Sequence, residues 1–326
     1  MATAGLLRSP AFDGALIGGV LALALALGGV AFARPEAFAA ILLFDFWLLA
    51  YPHVAATYTR IALDRRSVRE NAFLLFALPP IVLAGTASAA WLGGAALLNT
   101  IYFYWQTQHY TMQSFGIARA YHRAASATRR DRLTDVVVLA FPIWGVLHRA
   151  HQAPAQFYGS PMWWPPMPRV LVGVAAAIAI GALALWSWRE MRAPRGATLF
   201  VLSHVVITSV SYVAIPEVTR GWLFINVWHN AQYILFVWAY NARAFREPDA
   251  MRPIASWISE PRRAWAYAAV CVALSSVAYL ALGRALPRVA WQALPIVMVC
   301  HMAINFHHYL VDAIIWRTRR TAAAPA

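Results

Sequence analysis

The chain has 326 residues, of which 61% are hydrophobic and only 12% charged, with a formal net charge of +14. Soluble domains carry roughly 25% charged residues, so a surface that faces water throughout is excluded and an integral membrane protein is expected. All 27 basic residues are arginine, gathered between apolar runs rather than along a groove, which argues against nucleic acid and for contact with anionic membrane lipids.

Ten apolar stretches are long enough to span a bilayer as helices: 12–33, 38–58, 72–93, 96–117, 134–150, 168–188, 197–218, 221–241, 264–283 and 289–316. The expected fold is a polytopic all-α bundle forming one transmembrane domain over 1–326. The N-terminus, the loops after even-numbered spans and the C-terminus hold 21 arginines, against 6 in the other loops. Arginine excess marks the cytoplasmic side, so both termini are expected there. The cytoplasmic membrane of a bacterium is the expected location.

Taken in order, span 1 follows Arg8 and ends in Ala31-Phe-Ala33, loosely like a cleavable signal peptide. Its length and Asp13 favour a retained helix. Span 2 carries Asp45 and, after Pro52, His53. Span 4 has a stripe of Asn99, Tyr102, Gln106, His109 or Tyr110, and Gln113. The segment 118–133 is arginine-rich, and span 5 is the shortest. The loop 152–169 is rich in proline and tryptophan, which predicts a non-helical anchor at the headgroups. Span 7 offers His204, Thr208 and Ser211; span 8 offers Asn226, His229, Asn230 and Tyr233. Cys271 and Cys300 both lie inside spans and form no disulfide framework. In span 10, His301, Asn305, His308 and Asp312 recur at i, i+4, i+7 and i+11, which puts them on one helical face.

Polar groups at this depth are costly to insert and usually mark a function. Counting back to the nearest cytoplasmic arginine at 1.5 Å per residue places His53 about 10 Å deep, His204 and His308 about 13 Å and His109 about 15 Å. His307 lies beside them. His229 and His301 are deeper, at roughly 21 and 24 Å. Seven histidines are therefore candidate metal ligands: His53, His109, His204, His229, His301, His307 and His308. Asp312, Asn305, Gln106, Tyr233 and Gln113 are candidates for orienting them, since a carboxylate or amide fixes a ligand imidazole through its second nitrogen.

Neutral imidazole suits iron, copper or zinc, and a site with few carboxylates and no thiolate pair suits iron(II) or copper better than magnesium or calcium; iron is the metal expected. With positions left open for O2 and a lipophilic substrate drawn from the bilayer, that is oxygenase chemistry. Tyr51-Pro52-His53, His109, His229 with Tyr233 one turn on, and His307-His308 followed by Asp312 resemble the Brp/Blh family of membrane β-carotene 15,15'-dioxygenases. The resemblance implies a histidine-ligated iron centre and carotenoid cleavage. Thr57 and Gln113 stand where the family favours aspartate, and Tyr233 where it favours histidine. Two other classes share the residue set: a proton-coupled transporter and a bis-histidine haem carrier, for which His109 and His308 would be the axial pair. The paired boxes of diiron desaturases are approached only by His148-Arg-Ala-His151, on the opposite side.

Overall fold

The structure is a computed structural model that describes residues 5–125, 131–190, 196–245, 247, 249–286 and 295–318. It is almost wholly helical. Among the described residues, seven helices are long and apolar enough to cross a membrane: α1 (Pro10–Ala33), α2 (Pro35–Ile61), α4 (Phe73–Ala124), α5 (Arg132–Gln152), α6 (Arg169–Glu190), α7 (Gly196–Ala214) and α10 (Pro261–Ala285). Short α3 (Arg65–Glu70) follows α2, and α9 (Pro253–Ser259) precedes α10. Two more helices, α8 (Val218–Ala244) and α11 (Ile296–Thr318), are long enough but too polar to qualify by the same measure. They carry the polar stripes of spans 8 and 10.

The predicted spans 72–93 and 96–117 both fall in α4, which is not one straight helix. Gly94 breaks it with φ 65 and ψ −165, a conformation open to glycine and strained for any L side chain. After α5 the proline-rich stretch is non-helical, as its composition predicts. Strands β1 (Gln156–Phe157) and β2 (Ser160–Pro161) pair around Tyr158 and Gly159, whose φ values of 53 and 69 close the tight turn.

Internal contacts divide the chain into two compact units, one of residues 1–45 and 103–233, the other of 46–102 and 234–326. The cuts fall within α2, α4 and α8. In the first unit, α5 packs between α6 and α7. Arg149 of α5, fully buried, donates to the carbonyls of Ser211 (2.8 Å), Ile215 (2.5 Å) and Pro216 (2.8 Å) and to Gln152 Oε1 (2.7 Å). It so satisfies carbonyls that the end of α7 leaves unmet. Gly221, at the start of α8, allows that approach: a Cβ there would lie 2.4 Å from the Ser211 carbonyl oxygen and 2.8 Å from Arg149 Nη2. In the second unit, α10 and α11 pack along the later part of α2.

Two α-helical departures bear on the histidines. Phe73–Ala77, at the start of α4, is π-helical, so the Leu78 N–H reaches back five residues to Phe73. In that register the Leu74 carbonyl falls to Pro79, which has no N–H to give. In α5, Pro142 likewise leaves the Val138 carbonyl, four residues back, without its helical donor. Each proline thus creates a buried acceptor.

Candidate metal centre

In the second unit, His53 of α2 and His308 of α11 meet with their Nε2 atoms 2.7 Å apart, both side chains buried. One turn after His53, the Thr57 hydroxyl lies 2.9 Å from His308 Nδ1 and donates to Asp312 Oδ1 at 2.9 Å. A hydroxyl has one proton to give. Because it goes to the carboxylate, Thr57 can only accept from His308, which therefore carries its proton on Nδ1. In the neutral imidazole the Nε2 of His308 is then a lone pair, 2.7 Å from His53 Nε2 and 3.9 Å from Asp312 Oδ2. Asp312 fixes the imidazole as a carboxylate commonly does behind a ligand histidine, here through a hydroxyl set between them.

Two nitrogens at 2.7 Å can share a hydrogen bond or address a cation together. Metal–nitrogen bonds of about 2.0–2.1 Å set their nitrogens about 2.9 Å apart at a right angle and about 3.4 Å apart at a tetrahedral one. The observed separation is nearer the first. It leaves no space for a porphyrin between these two rings. The residues fit a metal ion: neutral donors, a fixed tautomer, a dry setting and a carboxylate one bond removed.

Its neighbour His307 points elsewhere. His307 Nε2 donates to the Leu74 carbonyl at 2.7 Å, the acceptor freed by Pro79, so Nδ1 accepts from the Tyr58 hydroxyl at 2.6 Å. Both nitrogens are engaged, and of the adjacent pair it is His308 that has a lone pair to offer. His301 lies beside the stacked rings of Tyr51 and Tyr279, at 6.3 and 6.1 Å between centroids. Asn305 donates to the His301 carbonyl of its own helix at 2.9 Å.

In the first unit, His109 and His229 face each other with ring centroids 5.0 Å apart, and Tyr110 packs on His229 at 3.9 Å. Tyr110 donates to Asn226 Oδ1, Asn226 donates to Asp45, and Asn230 reaches the same carboxylate at 3.4 Å. Gln106 Oε1 accepts from the Trp222 indole at 2.6 Å, and Gln113 Nε2 donates to the His229 carbonyl at 3.2 Å. Tyr233 is buried on α8. His204 Nε2 donates to the Val138 carbonyl at 3.0 Å, the acceptor freed by Pro142.

No family model, curated protein or solved structure matches this chain. The site is therefore argued from its own chemistry. Two contributors went unassigned from sequence: Thr57, noted only as a departure from a family pattern, and Tyr58. Thr57 was signalled by its place one helical turn after His53 on the same face.

Proposed function

We propose that this protein is a membrane-embedded, histidine-ligated iron oxygenase acting on a long apolar molecule dissolved in the bilayer, with O2 as co-substrate. The observation that carries the proposal is the His53–His308 pair, whose tautomer is set by Thr57 and Asp312. Copper is the second choice of metal. A bound ferrous ion would supply O2 binding and redox chemistry. The chain's own residues supply neutral ligands, which keep the net charge of a buried site low, and a hydrogen-bonded frame that holds one imidazole in place. The resemblance of Tyr51-Pro52-His53 and His307-His308 to the Brp/Blh family makes a carotenoid the first substrate to test.

The setting proposed with it is ten spans with both termini in the cytoplasm of a bacterium, supported by the arginine distribution. A fluorescent fusion that folds only in the cytoplasm should light up at the C-terminus. The function is tested by purifying the protein, measuring bound metal and following O2 consumption with membrane lipid extracts. Iron without haem absorbance, together with O2 uptake, is expected. Loss of orange colour and appearance of retinal in a β-carotene-accumulating host would name the substrate. An iron-loaded protein that consumes no O2 with any extract refutes the oxygenase. Haem absorbance or absence of metal would return the haem carrier or the transporter.

A further inference from the structure

The first unit contains a second polar feature, which includes His204, a candidate ligand by sequence whose Nε2 is taken by the Val138 carbonyl. Along one face of α7 run His204, Thr208 and Ser211, at i, i+4 and i+7. The indole of Trp228 on α8 faces His204, with ring centroids 6.0 Å apart. Gln232 lies one turn beyond Trp228 on the same face. All five side chains are at least 97% buried. Each has a polar atom with no hydrogen-bond partner among the described residues: His204 Nδ1, Thr208 Oγ1, Ser211 Oγ, Trp228 Nε1 and both amide atoms of Gln232.

Such atoms are not ordinarily left unmet, because each costs about 1–3 kcal/mol when buried. The hydroxyls had an easy alternative. Thr86, Thr100, Thr107 and Thr111 all bond back to the carbonyl four residues earlier in their helix. Thr208 and Ser211 make no such bond. His204 has its Nε2 proton committed to Val138, so Nδ1 is an acceptor. The seam thus offers one imidazole acceptor, one indole donor, two hydroxyls and an amide that both gives and takes. None of these groups carries a charge, and their mixture of donors with acceptors suits a neutral ligand better than an ion.

We propose that this seam between α7 and α8 is a binding site for water: a short file of ordered molecules joining Trp228 Nε1 and His204 Nδ1 to the hydroxyls of Thr208 and Ser211. Water is the smallest neutral ligand that both donates and accepts, and a buried one needs two to four polar partners of the kind supplied here. The file ends at Ser211, whose carbonyl is held by Arg149.

The test follows indole N–H exchange by NMR of the full-length protein in nanodiscs transferred to deuterated buffer, with Trp228→Phe assigning the signal. Two equally buried tryptophans are internal controls, since Trp186 donates to Thr134 Oγ1 and Trp222 to Gln106 Oε1. Trp228 should exchange within minutes and the controls over hours, because partnered buried groups exchange only on opening. Thr208→Val with Ser211→Ala should slow Trp228 about tenfold or more while the control signals, which also report the fold, stay in place. Should that pair unfold the protein, Thr208→Val alone gives the same comparison. Trp228 protected as well as Trp186, or exchanging equally fast in the variants, overturns the proposal. An alcohol-bearing lipid in place of water would appear as slow exchange that becomes fast on delipidation, which also overturns it.

Discussion

Thr57→Val tests the candidate centre without touching either proposed ligand in the pair. Valine nearly matches threonine in shape, so the helix and its packing are kept, while two 2.9 Å hydrogen bonds disappear: the one accepted from His308 Nδ1 and the one given to Asp312 Oδ1. His308 then loses the partner that holds its proton on Nδ1, and the lone pair on Nε2 is no longer enforced. Removing an outer partner of a ligand histidine costs about 10–100-fold in metal affinity, equivalent to about 1.4–2.8 kcal/mol. Each buried group deprived of a bond adds about 1–3 kcal/mol of destabilisation. Affinity is read by competition with a chelator and stability by thermal unfolding in detergent. Thr57→Ser restores the hydroxyl and should recover most of both. Thr57→Val with unchanged metal affinity, in a protein that folds, would show that the Thr57–Asp312 link does not set the ligand, and the tautomer argument would fail.

Three other outcomes follow from the same geometry. His308→Phe should lose metal whereas His307→Phe should keep it, by elemental analysis of folded protein, because His308 Nε2 faces His53 while both nitrogens of His307 are tied to Leu74 and Tyr58; equal loss in both variants would contradict this. Gly221→Ala should destabilise by several kcal/mol, since the new Cβ meets a backbone oxygen at 2.4 Å, and Arg149→Met by about 1–3 kcal/mol for each buried carbonyl it abandons; shifts in unfolding temperature measure both. Burial raises the Asp131 carboxyl, but hydrogen bonds from Arg189 and Thr134 prevail and hold it down at about 2 against an ordinary 3.8. A carboxyl lowered on folding stabilises above its unfolded value, so the stability difference between wild type and Asp131→Asn should be level above pH 4 and vanish as pH falls towards 2; a difference unchanged by that titration would refute the assignment.

The spans were largely legible because an apolar run of membrane length has few other uses. The break between the third and fourth spans falls at Gly94, where the sequence places it. Reading depth from arginines set His53 and His308 in one layer, and the two rings do meet. Span 10 shows where such reading stops. His301, Asn305, His308 and Asp312 share a face, yet Asn305 bonds its own helix and His301 sits among tyrosines. A helical face is wide enough to address several neighbours, and periodicity does not say which. The fates of His204 and His307 were harder, since their partners are backbone carbonyls, which carry no side-chain signature. Pro142 and Pro79 were nonetheless visible, and each marks a carbonyl deprived of its donor.

The bond from His204 to the carbonyl under Pro142 has a mechanical meaning for α5 and α7. Leucine, valine and alanine surfaces slide past one another with little preference, so apolar helices in lipid are poorly indexed along their axes. One carbonyl lacking a donor and one imidazole able to supply it form a pin and a slot. Displacing α7 by a single residue, a rise of 1.5 Å, would part them and strand both. A proline that weakens its own helix thereby fixes the axial setting of the next.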